Sequence, residues 1–169
     1  MIETKRLLIR PLTGEELKKH IDSPNDFANG LGLIPSQSLI DDETKEAILN
    51  DLLPNIDDKT KDPDFYTMWI VIDKVQKAII GGICFHGEPN DKGEVEIGYG
   101  TDSDYRNSGF MTETIAGLIS WIRENKNVKS IMAETEIENI SSIKVLEKNN
   151  FKVIQQIDKA VILRLELNK

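Results

Sequence analysis

Apolar and polar residues alternate over 6–10, the period of a short strand. A turn at Thr13-Gly14 leads into Glu15 to His20, which has helical spacing. Asp22-Ser23-Pro24-Asn25-Asp26 then breaks the pattern, and residues 27–40 show no clear period. From Asp41 to Leu53 leucine and isoleucine recur at helical spacing, with Asp41 or Asp42 as N-cap and Pro54 just past the end. Asn55 to Asp64 is charged, flanked by prolines and predicted to be an exposed loop. Met68 to Ile72 and Ala78 to Phe85 read as a hairpin about the turn Asp73 to Lys77. A second turn, Glu88 to Gly93, leads into a strand over 94–100. The pattern then predicts a helix from about Ser108 to Asn125, a strand over Ser130 to Thr135 and a helix over Ile140 to Lys148. Strands over roughly 151–156 and 160–167 complete the chain.

Strands followed by helix, strand, helix and two strands predict an α/β fold with a mixed sheet. A right-handed crossover through the 108–125 helix makes the 94–100 and 130–135 strands parallel. Ligands in such sheets sit beyond the carboxyl ends of the parallel strands. At 169 residues, with no repeat and no linker, residues 1–169 read as one domain.

Charge narrows the possible partners. Asp and Glu number 29 against 21 Lys and Arg, with no basic block, which argues against a general nucleic-acid binder. The same balance favours a cationic acceptor such as an amine. One cysteine, Cys84, excludes an intramolecular disulfide and fits a reducing cytoplasm. No segment has the length and apolarity of a membrane span or a signal peptide, so the expectation is a soluble cytoplasmic protein without a membrane partner. Two histidines, one cysteine and no ligand spacing predict no metal site. Cys84 sits among apolar strand residues as a small hydrophobe. His86, two residues along, shares its face, so a thiol–imidazole pair is the alternative. Trp69 and Trp121 read as core. The apolar 160–167 strand either pairs across a homodimer interface or lies in the core.

Chemistry concentrates in Tyr105-Arg106-Asn107-Ser108-Gly109-Phe110-Met111-Thr112-Glu113, a glycine-bearing loop between a strand and a helix. Several backbone N–H groups converge there, and the helix N-terminus adds partial positive charge, so the junction suits a phosphate. About thirty residues on comes Asn139-Ile140-Ser141-Ser142-Ile143-Lys144-Val145-Leu146-Glu147-Lys148-Asn149-Asn150-Phe151. Together the two segments resemble the GNAT acyl-CoA N-acyltransferase superfamily, and within it the branch that acetylates N-termini of ribosomal proteins. Arg106-x-x-Gly109-x-Met111 matches that family's Arg/Gln-x-x-Gly-x-Gly/Ala except at Met111. The second segment matches Asn-x-x-Ser-Ile-x-Val-Leu-Glu-Lys-x-Gly-Phe except at Asn150. Thr4 to Leu12 is similar to the branch's first strand.

The resemblance implies the GNAT fold: a mixed sheet of about seven strands, flanked by helices, whose two central parallel strands splay apart with the help of a bulge. It implies acetyl-CoA as co-substrate, with Arg106, Asn107, Ser108, Gly109, Phe110, Met111 and Thr112 around its phosphates. Gly98, Tyr99 and Gly100 would then run along the pantetheine arm, and Asn139 and Ser142 would lie near the thioester. Locally, Asn139 is also the N-cap of the second helix, and Thr112 offers a hydroxyl or a cap. Arg106 is otherwise an exposed charge, and Met111 is larger than the family's small residue.

For proton transfer Glu96 is the candidate, since alternation places Glu94, Glu96 and Gly98 on one face of their strand. It acts as general base through water, orients the acceptor amine, or is a plain exposed glutamate. Many relatives carry a tyrosine on the second helix where this chain has Leu146; Ser142 is the substitute donor to the departing thiolate. The leading expectation is acetyl transfer from acetyl-CoA to a primary amine, a protein N-terminus or a small molecule, by direct attack in a ternary complex. The alternatives are an acyl-CoA-binding module or sensor without transferase activity, and an interaction protein that has lost the cofactor site. Acceptor-binding parts fall in residues 21–65, the stretch the pattern reads least well.

Overall fold

The computed structural model describes residues 1–36, 40 and 42–167. Its backbone is an eight-stranded sheet in the order β1-β2-β3-β4-β5-β6-β8-β7. The strands are β1 (Ile2–Glu3), β2 (Leu7–Pro11), β3 (Met68–Asp73), β4 (Ala78–Phe85), β5 (Glu94–Thr101), β6 (Ser130–Glu136), β7 (Lys152–Ile157) and β8 (Ala160–Glu166). One strand exceeds the expected number, because Ile2–Glu3 pairs antiparallel with Leu8 and Ile9; two residues are too few to show a period. Only β5 and β6 run parallel, as the crossover through the intervening helix requires.

The helices divide into two layers. α1 (Gly14–Asp22), α2 (Pro24–Gly30), α3 (Asp42–Ala47) and α4 (Leu53–Ile56) cover one face. α5 (Phe110–Ile122) and α6 (Ile140–Lys148) cover the other. Strand β3 is buried throughout because it serves both layers. Trp69 and Val71 join α5, while Met68, Ile70 and Ile72 join the α1–α4 side. Trp121 of α5 packs edge-on against fully buried Trp69, with ring centroids 4.8 Å apart, so both tryptophans belong to the core. Leu118, Ile115 and Ile122 of α5 are also fully buried, and each such side chain favours the fold by about 1.5–3 kcal/mol.

Three expectations change. α2 forms where the pattern seemed only to break: Pro24 fits the first turn, where no N–H is needed, and Phe27 and Ala28 are its only buried residues, too few for a period. The next helical run does not stop before Pro54. A π-helical segment, Ile48–Leu52, widens the backbone just ahead of it, and Pro54 then occupies the first turn of α4. That run begins at Asp42, and Asp41 lies outside the described residues. Finally, β8 is hydrogen-bonded to β6 on one side and β7 on the other. It therefore has no free edge for a dimer partner, and buried Val161, Leu163 and Leu165 account for its apolar character. No helix among the described residues is long and apolar enough to cross a membrane.

Candidate active site

The site begins where the two parallel strands part. β5 pairs with β6 only from Glu94↔Ser130 to Glu96↔Met132, while β6 residues from Ala133 onward pair with β8. Ile97 to Thr101 of β5 thus have no strand on that edge. Gly98, Tyr99 and Gly100 lie along it, ready for an extended ligand to add as a strand. The opening arises without a bulge between β4 and β5, whose register is unbroken; the shifts in this sheet fall at Val71/Ile72 and Val153/Gln155. Gly81 of β4 belongs to this corner too, since a Cβ there would lie 2.7 Å from the Gly100 carbonyl oxygen. The pattern read Gly81 only as a strand residue.

The loop from β5 to α5 has the conformation an anion site needs. Asp102 accepts from the Asp104 N–H, opening a 3₁₀ turn over Ser103–Tyr105. Asp102 is buried and also accepts from the Ser36 hydroxyl at 2.5 Å. Asn107 (φ 60°) and Gly109 (φ 75°) are left-handed, the geometry that asparagine and glycine tolerate best. Gly109 is the N-cap of α5 and no side chain caps this end, leaving the first N–H groups of the helix for a ligand. Thr112 is therefore not a cap, and the helix starts at Phe110 because the left-handed Gly109 breaks it. Met111 is buried, with its Cε below Gly81, so its size does not intrude on the loop surface. Arg106 is exposed and folds back, its Nε donating to the Thr101 carbonyl at 3.1 Å.

One cation of this loop is not near it in sequence. Arg6 donates Nη1 to the Ser108 carbonyl at 3.0 Å, Nε to Glu113 at 2.6 Å, and lies 4.3 Å from the Phe110 ring centroid. Glu113 also accepts from the Arg6 N–H and the Thr4 hydroxyl. The N-terminal segment is thereby fastened to the loop. No local pattern signals a pairing across 107 positions; Arg6 was visible only as part of the first-strand motif.

Asn139 caps α6 through the Ser142 N–H at 3.1 Å, as expected from its type. Ser142 Oγ lies 2.8 Å from Tyr99 Oη, which also donates to the Ser142 carbonyl at 3.3 Å. Tyr99 thus brings a side-chain hydroxyl to the second helix, beyond the backbone role predicted for it. Burial pushes its pKa up, so the phenol stays protonated. Leu146 is fully buried.

Glu96 occupies the other face of the sheet. Its side chain is 41% exposed and its Oε1 lies 3.2 Å from His86 Nδ1. His86 is 52% exposed. The His86 bond holds the Glu96 carboxyl below the usual range. Interaction with Cys84 first and with Glu96 second, each favouring the imidazolium, raises the His86 pKa from 6.5 to about 10. Cys84 shares this face, its Sγ and His86 Nε2 lying 3.6 Å and 2.8 Å from where a Cβ on Gly98 would stand. What sequence missed is the carboxylate, because the β4–β5 register that sets His86 beside Glu96 is a tertiary fact. Glu96 and Ser142 therefore flank one opening from opposite faces. Among the described residues no cluster of three or more His, Cys, Asp or Glu is arranged to hold a metal ion.

This geometry, an opened parallel pair beside an uncapped glycine loop, defines an acetyltransferase domain. A sequence profile of the Acetyltransferase (GNAT) domain matches residues 6–152, and the chain belongs to that family. It is 36% identical over 86 residues to the uncharacterised N-acetyltransferase YjdG of Bacillus subtilis, spanning 51% of each protein. With the uncharacterised N-acetyltransferase YnaD of Bacillus subtilis it shares 28% over 150 residues, 87% of this chain and 79% of that one. The match to YjdG thus spans about half the relative's length. Among solved structures, a ribosomal-protein-S5-alanine acetyltransferase from Vibrio fischeri superposes with a TM-score of 0.70 at 20% identity, over 98% of this chain and 96% of that one. RimL, a ribosomal L7/L12 α-N-protein acetyltransferase in complex with coenzyme A, gives 0.65 at 13%, over 96% and 95%. At these identities the likeness is one of fold.

Proposed function

We propose that the protein transfers an acetyl group from acetyl-CoA to a primary amine by direct attack in a ternary complex. The observation that carries this reading is the coincidence, at one opening, of an uncapped α5 N-terminus, a free β5 edge and a solvent-reached carboxylate. The backbone amides from Asn107 to Thr112 would hold the phosphates, with Arg6 keeping the loop in place. Gly98 to Gly100 would align the pantetheine arm, and Asn139 would contact it near the thioester. The Glu96–His86 pair would receive the proton of the acceptor ammonium. The Ser142 hydroxyl, backed by protonated Tyr99, would hydrogen-bond the departing thiolate at the α6 N-terminus. The acidic balance of the chain suits a cationic acceptor, either a protein N-terminus, as in the named activity of the ribosomal-protein acetyltransferases, or a small amine. Free Cys84 suits the cytoplasm.

Calorimetry with acetyl-CoA, beside thiol release over a panel of amines, tests this. Binding at micromolar acetyl-CoA is expected, with turnover on at least one amine. Glu96→Gln should keep the binding and lower turnover by roughly 10²–10⁴-fold. Absence of binding near millimolar acetyl-CoA overturns the reading. Buried Leu146, where relatives place a tyrosine, favours the second reading, an acyl-CoA-binding module. Binding without turnover on any amine would select it.

A further inference from the structure

Cys84 and His86 alternate onto the same face of the sheet, the face of Glu96. In the β4–β5 register Cys84 stands opposite Gly98, and the His86 N–H donates to the Glu96 carbonyl at 3.0 Å. On one side of the imidazole, Nδ1 lies 3.2 Å from Glu96 Oε1. The other ring nitrogen, Nε2, and the Cys84 sulfur share Gly98 as a neighbour. Both converge above Gly98, where a Cβ would lie 2.8 Å from Nε2 and 3.6 Å from Cys84 Sγ. A carboxylate on one ring nitrogen and a thiol at the other is the connectivity by which an oriented imidazole activates a nucleophile. Glycine at 98 keeps the space over the pair clear. All three side chains are only partly buried, so a small molecule can reach them.

We propose that Cys84, His86 and Glu96 form a second nucleophilic centre, at which the Cys84 thiol accepts the acyl group of an acetyl-CoA-type thioester. The proposal rests on the acetyl-CoA-dependent reading above. It adds a competing acceptor: amines take the acetyl group directly, and Cys84 takes it when no amine is present. The Cys84 thiolate, paired with the His86 imidazolium, bonds through Sγ to the thioester carbonyl carbon. The bond from that carbon to the coenzyme sulfur breaks, its electron pair staying on the sulfur, and the imidazolium returns the proton there. The products are free coenzyme A and S-acetyl-Cys84, and no oxidant or reductant enters. One thioester replaces another, so the exchange is freely reversible. Glu96, 3.2 Å from Nδ1, holds the imidazole in the charged form that the step uses.

The test is to incubate the full chain with acetyl-CoA alone and map the acetyl group by intact and peptide mass spectrometry, with calorimetry on the same samples. One acetyl group on Cys84, removed by neutral hydroxylamine and absent in Cys84→Ala, is the expected result. Labelling should slow by roughly a hundredfold in His86→Gln and by less in Glu96→Gln, a graded pair that a folding defect would not produce. Bound acetyl-CoA with Cys84 unmodified, or with acetyl groups on lysines only, overturns the proposal and leaves the transferase reading intact. If acetyl-CoA does not bind, the transferase reading fails, and 4-nitrophenyl acetate, which needs no nucleotide site, decides the centre by itself. His86-dependent acetylation of Cys84 by that ester supports a nucleophilic centre; equal rates in the wild type and His86→Gln overturn it.

Discussion

The layer formed by α5 and α6 and the layer formed by α1 to α4 sit on opposite faces of one sheet, yet they are built by different means. On the α5–α6 side, the proposed cofactor site is made of backbone. A left-handed Asn107 and Gly109, an uncapped helix start, an Asn139 cap and a free strand edge form the site. All of these except the strand edge depend on residues a few positions apart. On the α1–α4 side, the chemistry belongs to side chains of β4 and β5 that only strand register brings together, beneath a layer made of short helices and a π-helical turn. The comparison teaches that a loop site made of backbone amides leaves a local signature, whereas a cluster of side chains juxtaposed by strand register leaves almost none.

Breaking the backbone half has the largest effect. Gly109→Trp places a side chain over the loop, at a φ that L residues adopt with a penalty of about 1–2 kcal/mol. Acetyl-CoA binding by calorimetry should become undetectable, while unfolding temperature falls only modestly. Should Gly109→Trp bind normally, the loop is not the phosphate site.

The next effect lies in the other layer. His20 on α1 is buried against Phe27 of α2, with neither ring nitrogen hydrogen-bonded and its pKa lowered by burial to about 4. A folded-state value below the unfolded one of 6.5 means the unfolded chain binds more protons between them. Stability is therefore full above about pH 6.5 and falls by about 3 kcal/mol as pH drops towards 4. Denaturation curves against pH should show this slope, and His20→Leu should remove it. An unchanged slope in His20→Leu would assign the acid sensitivity elsewhere.

Arg6→Ala probes how far the backbone half relies on distant support. The Arg6–Glu113 pair is partly exposed, so the loss is modest, and acetyl-CoA affinity should weaken three- to tenfold, about 1 kcal/mol. Affinity for an amine acceptor should not change, and a shift in both would mean the two halves are coupled through β2. Smallest of all, Asn150→Gly at φ 66° should move stability by less than ~1 kcal/mol, towards greater stability, with activity unaltered.

Much of this architecture was readable along the chain because local rules dictate it. Ile140–Lys148 is a helix with Asn139 at its cap, and the hairpin of β3 and β4 turns where Asp73 to Lys77 predicts. Pro54 misled, since a proline reads as a stop unless the preceding turn widens to admit it, and that widening follows from how Ile48 and Leu52 pack. Arg6 was missed because its partners lie more than a hundred residues away. Tyr99 was read for its backbone alone, because the approach of α6 to β5 gives its hydroxyl a partner that no spacing announces.

By itself, the sequence determined the elements, the glycine and asparagine positions that bend the loop ahead of α5, and the α/β class, since backbone dihedrals and hydrophobic period are properties of neighbouring residues. Tertiary structure decided which side chains meet: His86 with Glu96 and Cys84, Tyr99 with Ser142, Arg6 with the loop. It also decided where β5 and β6 part. Those outcomes depend on strand register and on the packing of two helical layers against one sheet, and they exist only once the whole chain has folded.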